Sequence, residues 1–550
     1  MDTGGPLRIA VAQIACEVGS IDANAERIID AARWWRDQES VDLVVFPELA
    51  ITGYPPDDLL LRADFLAVAA AAMRRVAEQT RGIAVLLGVP RRVDGGVRNA
   101  AVLLRDGAVV TEAYKRRLPS YSVFDDNRHF TPGEGAVTAE LGGRRLGLLV
   151  CEDLWFPEPA AEAAAAGAET LIGLNASPFH AGKAAERLEV VRARAVENGV
   201  PLLYVNAVGG QDEVVYDGAS FAVDADGGLA ARWPAFAEDQ APVGLDAGAW
   251  RDGPQAVWPG DEAAVYTALV RGTADYVRRN GFSEVVLGLS GGIDSALAAA
   301  VAVDALGAER VQAVMMPTRY TADRSLEDAE ETARRLGVTY HVVPVEPLFN
   351  GFSDALAEIF TGLPEDVTEE NLQSRIRGNL LMALSNKFGR MLLATGNKSE
   401  LAVGYATLYG DMCGGFAPLK DVYKTEVYRL ARWRNAQGAV IPEPVIEREP
   451  TAELRANQRD TDTLPPYPVL DAILRRYLED EDSEETIARD GGFDEREVER
   501  VVGLLYRNEY KRRQGAPGVK VTRRAFGRDR RYPITSGWRG LPRHWREGAK

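Results

Sequence analysis

The run EVVLGLSGGIDSALAAAVAVDAL, residues 284–306, constrains the fold more than any other stretch of the chain. An unbroken apolar segment turns through Ser290, Gly291 and Gly292 directly into an alanine-rich helical segment. A strand without polar alternation is buried on both faces, which is the habit of a parallel sheet covered by helices. The pattern then repeats. VQAVMMP precedes DRSLEDAEETARRL, YHVVPVE follows, and RMLLATG comes later. Strand and helix in strict alternation predict a parallel sheet with crossover helices.

The glycines at 291 and 292 carry chemical information too. Without Cβ atoms they let the backbone approach a ligand, and the free amides at a helix start face an anion. The loop lacks the lysine of the Gly-x-x-x-x-Gly-Lys-Ser/Thr phosphate loop. A lysine that reaches a γ-phosphate serves transfer of that phosphate, so its absence points to chemistry at an α-phosphate, with pyrophosphate leaving. Small residues at such a turn also let a helix pack closely on a strand, and the tripeptide alone leaves both readings open. Downstream, LLATGNKSE ends a strand at Thr395 and brings Glu400 to the same sheet edge. Ligands of open α/β sheets bind at the carboxyl ends of the strands.

The first half reads differently. LRIAVAQIA, VDLVVF, GIAVLLGVP, LGLLV and TLIGLNA are short buried strands, while NAERIIDAARWWRDQ and FLAVAAAAMRRVAEQ have helical apolar spacing. AAVLLRDGAVVTEAYK and ASFAVDADGGLAARW look like hairpins, turning at Asp106-Gly107 and Asp226-Gly227-Gly228. Mixed strand pairing is therefore expected here. Near 240–262 the text becomes rich in Gly, Pro, Asp and Trp. The boundary falls there, giving domains 1–255 and 256–550.

With 550 residues, 46% hydrophobic and 26% charged, the chain is an ordinary globular protein of two or three domains. No apolar run approaches the ~20 residues that span a bilayer, so no membrane partner is expected. The start has no signal-peptide pattern, and three widely spaced cysteines suit a reducing cytoplasm. A formal charge of −17 disfavours general nucleic-acid binding and favours small polar substrates. The basic stretch from Lys511 to Arg531 reads as phosphate-binding and subunit-contacting rather than as a nucleic-acid patch.

Three residues of the first half sit at strand ends: Glu48 in FPE, Lys115 in YKRR and Cys151 in CED. Singly each has a dull explanation, a core cysteine or a solvated charge. Together they form a coherent nucleophilic set, in which an ammonium lowers the thiol pKa and a carboxylate takes the proton. A Cys-His protease is the rival, but none of the four histidines has a protease context.

In order and context, Glu48, Lys115 and Cys151 resemble the catalytic triad of the nitrilase superfamily. SGGIDS resembles the pyrophosphate loop of the ATP pyrophosphatase superfamily. With ENLQSRIRGN, LLATGNKSELAVGYATLYGDMCGGFAPLKDVYKT and EYKRRQGAPGVKVTRRAFGRDRRYPI, the chain resembles the glutamine-dependent NAD⁺ synthetases along nearly its whole length. The resemblance implies an α/β fold: a nitrilase-like α-β-β-α sandwich followed by a Rossmann-like parallel-sheet domain. It implies a glutaminase whose ammonia travels through an internal channel to amidate adenylated deamido-NAD⁺. ATP is the implied co-substrate, with Mg²⁺ and a homo-oligomeric assembly.

By motif position, Tyr121, Ser177 and Lys183 would bind glutamine, with Tyr54, Glu152 and Phe124 lining its pocket. Gly288, Leu289, Ser290, Gly291, Gly292, Ile293, Asp294, Ser295 and Thr395 would meet ATP. Asn371, Glu400 and Lys511 would contact deamido-NAD⁺, with Arg377, Asp411 and Lys420 as further candidates. Asp294 and Glu400 would hold the metal. Family members read Tyr-Gly-Val-Phe-Asp-Glu where this chain has Tyr121-Ser122-Val123-Phe124-Asp125-Asp126, and the shorter Asp126 leaves its contact with the glutamine amino group open. Other acceptors, namely a purine nucleotide, aspartate or a tRNA base, are the alternative within the same class, and a non-catalytic binding protein is the alternative outside it.

Overall fold

The computed structural model describes residues 6–38, 41–456 and 458–540. Contacts divide the chain into two compact units, Met1–Ala264 and Val265–Lys550.

The first unit holds two large sheets. One has seven strands, in the order 249–251, 239–246, 7–13, 43–45, 84–93, 96–105 and 108–114. Its three central strands run parallel and the flanking ones antiparallel. The other has six, in the order 229–232, 221–223, 202–206, 170–175, 144–150 and 138–141, again with a parallel centre. Side-chain alternation sorts each strand between two cores. In Leu7–Gln13, Leu7, Ile9 and Val11 face the second sheet, while Ala10 and Ala12 face helices. The helices Ile21–Gln38 and Ala63–Gln79 cover the first sheet. Pro157–Ala165 and Lys183–Asn198 cover the second. The result is the α-β-β-α layering implied by the resemblance. Ile28, fully buried on the first of these helices, shows what such a contact is worth. Burial of a side chain this size contributes about 1.5–3 kcal/mol. Both hairpins form as expected, with Asp106 and Gly107 at φ +50° and +90° in the first turn.

The second unit is built on a four-stranded, wholly parallel sheet in the order 339–342, 311–315, 285–288 and 391–393. The helix Ile293–Leu306 is buried almost all round, which explains its run of alanines: only small side chains let a helix lie this close to its neighbours. The last strand stops at Leu393 instead of reaching Thr395. Leu393 itself bridges to Phe416, and the chain then enters the cap of the short helix Lys398–Val403, so Thr395 stands in the loop at the carboxyl edge. A second core joins that short helix to the helices Tyr467–Leu478, Glu484–Gly491 and Glu495–Arg507. Among the described residues no helix is long and apolar enough to cross a membrane.

Candidate functional site

In the first unit the three strand-end residues converge. Glu48 follows the strand Leu43–Val45, Lys115 follows Ala108–Tyr114, and Cys151 follows Arg144–Val150. Lys115 Nζ donates to Glu48 Oε1 at 2.9 Å and to Asp126 Oδ2 at 2.7 Å, with the lysine and glutamate side chains wholly buried. Glu48 is held at both oxygens. Asn99 Nδ2 donates to Oε1 at 2.7 Å and the Ala176 amide to Oε2 at 2.9 Å. Tyr54 donates to Asp126 Oδ1 at 2.9 Å. Asp126 thus faces Lys115 and Tyr54, and its carboxylate belongs to the lysine's surroundings.

Cys151 lies at φ +48°, a left-handed conformation that costs about 1–3 kcal/mol and is kept where the surroundings overdetermine it. Here Asp153 supplies the constraint. Its carboxylate accepts the amide of Val150 at 3.1 Å and those of Arg116 and Arg117 at 2.9 Å, tying the cysteine turn to the chain just past Lys115. Burial nevertheless pushes Asp153 up to about 6. The depression of the thiol pKa that Lys115 exerts is outweighed. Burial first, and then the Glu48 charge, raise Cys151 well above the ordinary thiol value, and Lys115 only partly opposes them. The ammonium is already balanced: burial works against its charge, but Asp126 and Glu48 hold its proton well above the usual lysine range. The resting group is a thiol beside a carboxylate.

The residues assigned to glutamine surround this cluster. Tyr121 donates to Glu152 Oε1 at 2.8 Å, and burial raises the Glu152 carboxyl. The rings of Tyr121 and Tyr54 stand 5.8 and 6.4 Å from that of Phe124. Lys183 Nζ lies 3.8 Å from the centre of the Trp155 ring. Ser177, next to the Ala176 amide, donates its own amide to Asn206 Oδ1 at 2.9 Å.

In the second unit one cavity of 470 Å³ opens at the carboxyl edge of the sheet. All of Gly288, Leu289, Ser290, Gly291, Gly292, Ile293, Asp294, Ser295, Thr395, Asn371, Arg377, Glu400, Asp411 and Lys511 line it; Lys420 does not. The loop is preformed. Ser295 Oγ accepts the Ser290 amide at 3.1 Å and donates to the Gly292 carbonyl at 3.0 Å. Gly291 has φ +79°, and a Cβ there would stand 2.3 Å from the Ser325 carbonyl, so only glycine fits.

The metal assignment can be tested on donor chemistry. Asn397 Nδ2 donates to Asp294 Oδ1 at 2.8 Å, and the Lys424 ammonium bridges Asp294 Oδ2 and Glu400 Oε1, the latter at 3.2 Å. Burial pushes Glu400 up to about 7 against the pull of Lys424. Among the described residues no three His, Cys, Asp or Glu converge on one metal position. Two carboxylates alone suit Mg²⁺, which is usually held by one or two carboxylates together with nucleotide phosphates and water.

Several residues escaped the sequence analysis. Lys424 and Asp460 line the cavity, and Asn397 caps the helix that carries Glu400, its Oδ1 accepting the Glu400 amide at 3.0 Å. Lys424 lies within the quoted KDVYKT and Asn397 within GNKSE, but nothing local says which side chain turns inward. Within the basic stretch three cations make internal contacts. Arg512 donates to the Leu401 and Ala402 carbonyls, Lys511 to those of Gly404 and Ala406, and Lys520 to Asp529 at 2.5 Å. These cations close helix ends and pair with internal carboxylates. Tyr405 lines the cavity, Tyr423 is core, and Tyr409 is exposed with its hydroxyl donating to Gln514 Oε1.

Residues 8–255 match the carbon-nitrogen hydrolase family model and residues 265–515 the NAD synthase model. The fold and its two sites thus define a two-domain amidotransferase, an amide-hydrolysing half followed by an amide-forming one. The chain belongs to the glutamine-dependent NAD⁺ synthetase family. It is 51% identical over 547 residues to the glutamine-dependent NAD(+) synthetase of Xanthomonas campestris pv. campestris (strain 8004), covering 98% of this chain and 99% of that protein. With the Thermotoga maritima enzyme of the same name it shares 44% identity over 570 residues, 96% of this chain and 98% of the other. The glutamine-dependent NAD+ synthetase of Acinetobacter baumannii, solved in complex with adenosine diphosphate, superposes with a TM-score of 0.78 at 44% identity, covering 98% of this chain and 100% of that one.

Proposed function

We propose that the chain is a carbon–nitrogen ligase that hydrolyses glutamine in its first unit and uses the ammonia in its second to convert deamido-NAD⁺ into NAD⁺. The observation that supports it most is the pairing, in one chain, of the Glu48–Lys115–Cys151 cluster with the preformed loop and carboxylates of the second cavity. Neither half alone would make an amidotransferase.

Cys151 Sγ attacks the side-chain carbonyl carbon of glutamine as its proton passes to Glu48. Because the thiol is protonated at rest, the base must be adjacent, and Glu48 is fixed at both oxygens for that purpose. Lys115 and the backbone amide after Cys151 meet the charge that grows on the carbonyl oxygen. Glu48 returns the proton to the leaving ammonia, then deprotonates the water that cleaves the thioester and frees glutamate. Tyr121, Glu152, Ser177 and Lys183 supply the polar contacts that select an amino acid amide over a simple amide.

In the second unit, a carboxylate oxygen of the nicotinate ring attacks the α-phosphorus of ATP and pyrophosphate leaves. The amides from Ser290 to Ile293 face the phosphates, and Ser290 and Ser295 set the loop. Asp294 and Glu400 would hold Mg²⁺, which supplies charge compensation for the phosphates. Asn371, Arg377, Asp411 and Lys511 bind the dinucleotide, and Thr395 the ATP. Ammonia then displaces AMP from the acyl adenylate. The test is to incubate the protein with deamido-NAD⁺, ATP and Mg²⁺, with glutamine or with ammonium chloride, and to follow NAD⁺ and AMP. NAD⁺ from both donors is the expected result. Glutamate release without NAD⁺ from either donor would refute the acceptor.

A further inference from the structure

Beside the catalytic cluster, the first unit buries a second set of charges. Arg187, on the helix Lys183–Asn198, is 1% exposed, and Asp217, the last residue of the strand Val214–Asp217, is 0% exposed. Arg187 Nη1 and Nη2 each donate to Asp217 Oδ1 at 3.0 Å, and Nη1 also donates to Oδ2 at 3.3 Å. A buried ion pair can often be replaced by apolar residues of similar volume without loss of stability, so packing alone does not call for this one. What the pair touches does. Asn206 Nδ2 donates to the same Asp217 oxygen at 3.1 Å and to the Gly218 carbonyl at 3.0 Å, while Asn206 Oδ1 accepts the Ser177 amide at 2.9 Å. Arg187 Nη2 makes a longer contact, 3.5 Å, with the Ser177 carbonyl.

The chemistry of these groups fixes their orientation. A carboxylate only accepts, so Asp217 holds the Asn206 amide with its nitrogen inward and its oxygen toward Ser177. A reversed amide would set acceptor against acceptor at Asp217 and donor against donor at Ser177. Asn206 is braced from behind as well. Its backbone amide donates to Ser220 Oγ at 3.0 Å, and Gln13 Oε1 accepts both the hydroxyl and the amide of Ser220 at 2.9 Å. The chain on either side of Ser177 is tied to the same elements. The Asn175 carbonyl accepts the Ala207 amide at 3.0 Å, Pro178 bridges to Tyr216, and the Phe179 amide donates to the Val215 carbonyl at 2.7 Å. Between these ties stands the Ala176 amide, which donates to Glu48 Oε2.

We propose that Asp217, aligned by Arg187 and acting through Asn206, is a positioning residue for glutamine hydrolysis: it registers the Ala176–Ser177 segment so that the Ala176 amide stays on Glu48 and Ser177 stays on the substrate. This rests on the function proposed above. One segment thereby serves both the base and the bound amino acid, so disturbing its anchor changes kcat and KM together. Asp217 acts through that segment and not on the reacting atoms.

Two variants of the full chain test this. Asp217→Asn keeps the shape but lets the Asn206 amide reverse. The double variant Arg187→Met/Asp217→Leu removes the pair and fills its space. Glutamate release is measured per reactive Cys151, counted as iodoacetamide-labelled peptide by mass spectrometry, so that unfolded protein does not enter the rate. In both variants glutamine-dependent kcat/KM should fall about 100-fold, the cost of a misplacement of about 1 Å, with kcat lowered and KM raised. NAD⁺ formation from ammonium chloride should stay within about 2-fold of wild type, and the double variant should melt near the wild-type temperature. Arg187→Lys, which keeps a cation opposite Asp217, should retain more glutamine turnover than the double variant. Unchanged kcat and KM per reactive thiol in Asp217→Asn would overturn the proposal, because the pair would then serve folding only. Equal loss of ammonium-dependent NAD⁺ formation would overturn it too. Wild-type protein that releases no glutamate from glutamine would instead refute the functional reading beneath it.

Discussion

Gly88 provides the sharpest test of how the first site is held. It lies in the strand Ala84–Val93, its amide donating to the Pro47 carbonyl at 3.2 Å, directly behind the turn that presents Glu48. A Cβ at this position would stand 2.0 Å from the Leu49 nitrogen and 2.7 Å from the Glu48 Cα. Ordinary contact begins at 3.4 Å, so going from 2.0 to 3.4 Å moves the Glu48 backbone by about 1.4 Å. The Glu48 hydrogen bonds of 2.7–2.9 Å would then stretch past the useful range. A misplacement of about 1 Å can cost about 100-fold in rate, equivalent to roughly 2.7 kcal/mol. Gly88→Ala should therefore lower glutamine-dependent kcat/KM about 100-fold or more while leaving ammonium-dependent NAD⁺ formation intact. Overpacking of this kind costs about 1–3 kcal/mol of stability, so a thermal melt belongs beside the assay. Wild-type glutamine turnover in Gly88→Ala would refute the reasoning, since the turn would have yielded without moving Glu48. Equal loss of both activities would refute it too, since the clash would not be confined to the first site.

Cys151→Ala should abolish glutamine use and spare ammonium-dependent turnover; retained glutamine use would remove the nucleophile assignment. Asp294→Ala should lose NAD⁺ formation from both donors, and retained ammonium activity would dispose of its place beside the phosphates. Because burial and Glu48 raise the Cys151 thiol above its ordinary value, the thiolate grows only as pH climbs, and alkylation by iodoacetamide should still be accelerating at about pH 9. Glu48→Gln removes a charge that disfavours the thiolate, so it should alkylate faster than wild type at about pH 8 while failing to hydrolyse glutamine. Slower alkylation would show that Glu48 activates the resting thiol.

The two-unit architecture was legible because it is written in local patterns. Buried strands, amphipathic helices and Asp-Gly turns act over a few residues, and their periods survive in one dimension. The motif residues were legible for a related reason: strand ends place Glu48, Lys115 and Cys151, and a strand-to-helix turn places Ser290 to Ser295. What tertiary structure alone decided is how the charges are matched. Lys115 meets Glu48 across 67 residues of sequence, and Lys424 meets Asp294 across 130. Packing likewise raises the Cys151 thiol, by burial first and then by the Glu48 charge, sets a lysine between two carboxylates, and brings cations of the basic stretch to carbonyls and carboxylates. The physical reason is that burial multiplies electrostatic interactions and charges heavily for unpaired groups, and which groups are buried together is a property of the packed chain, not of its spacing.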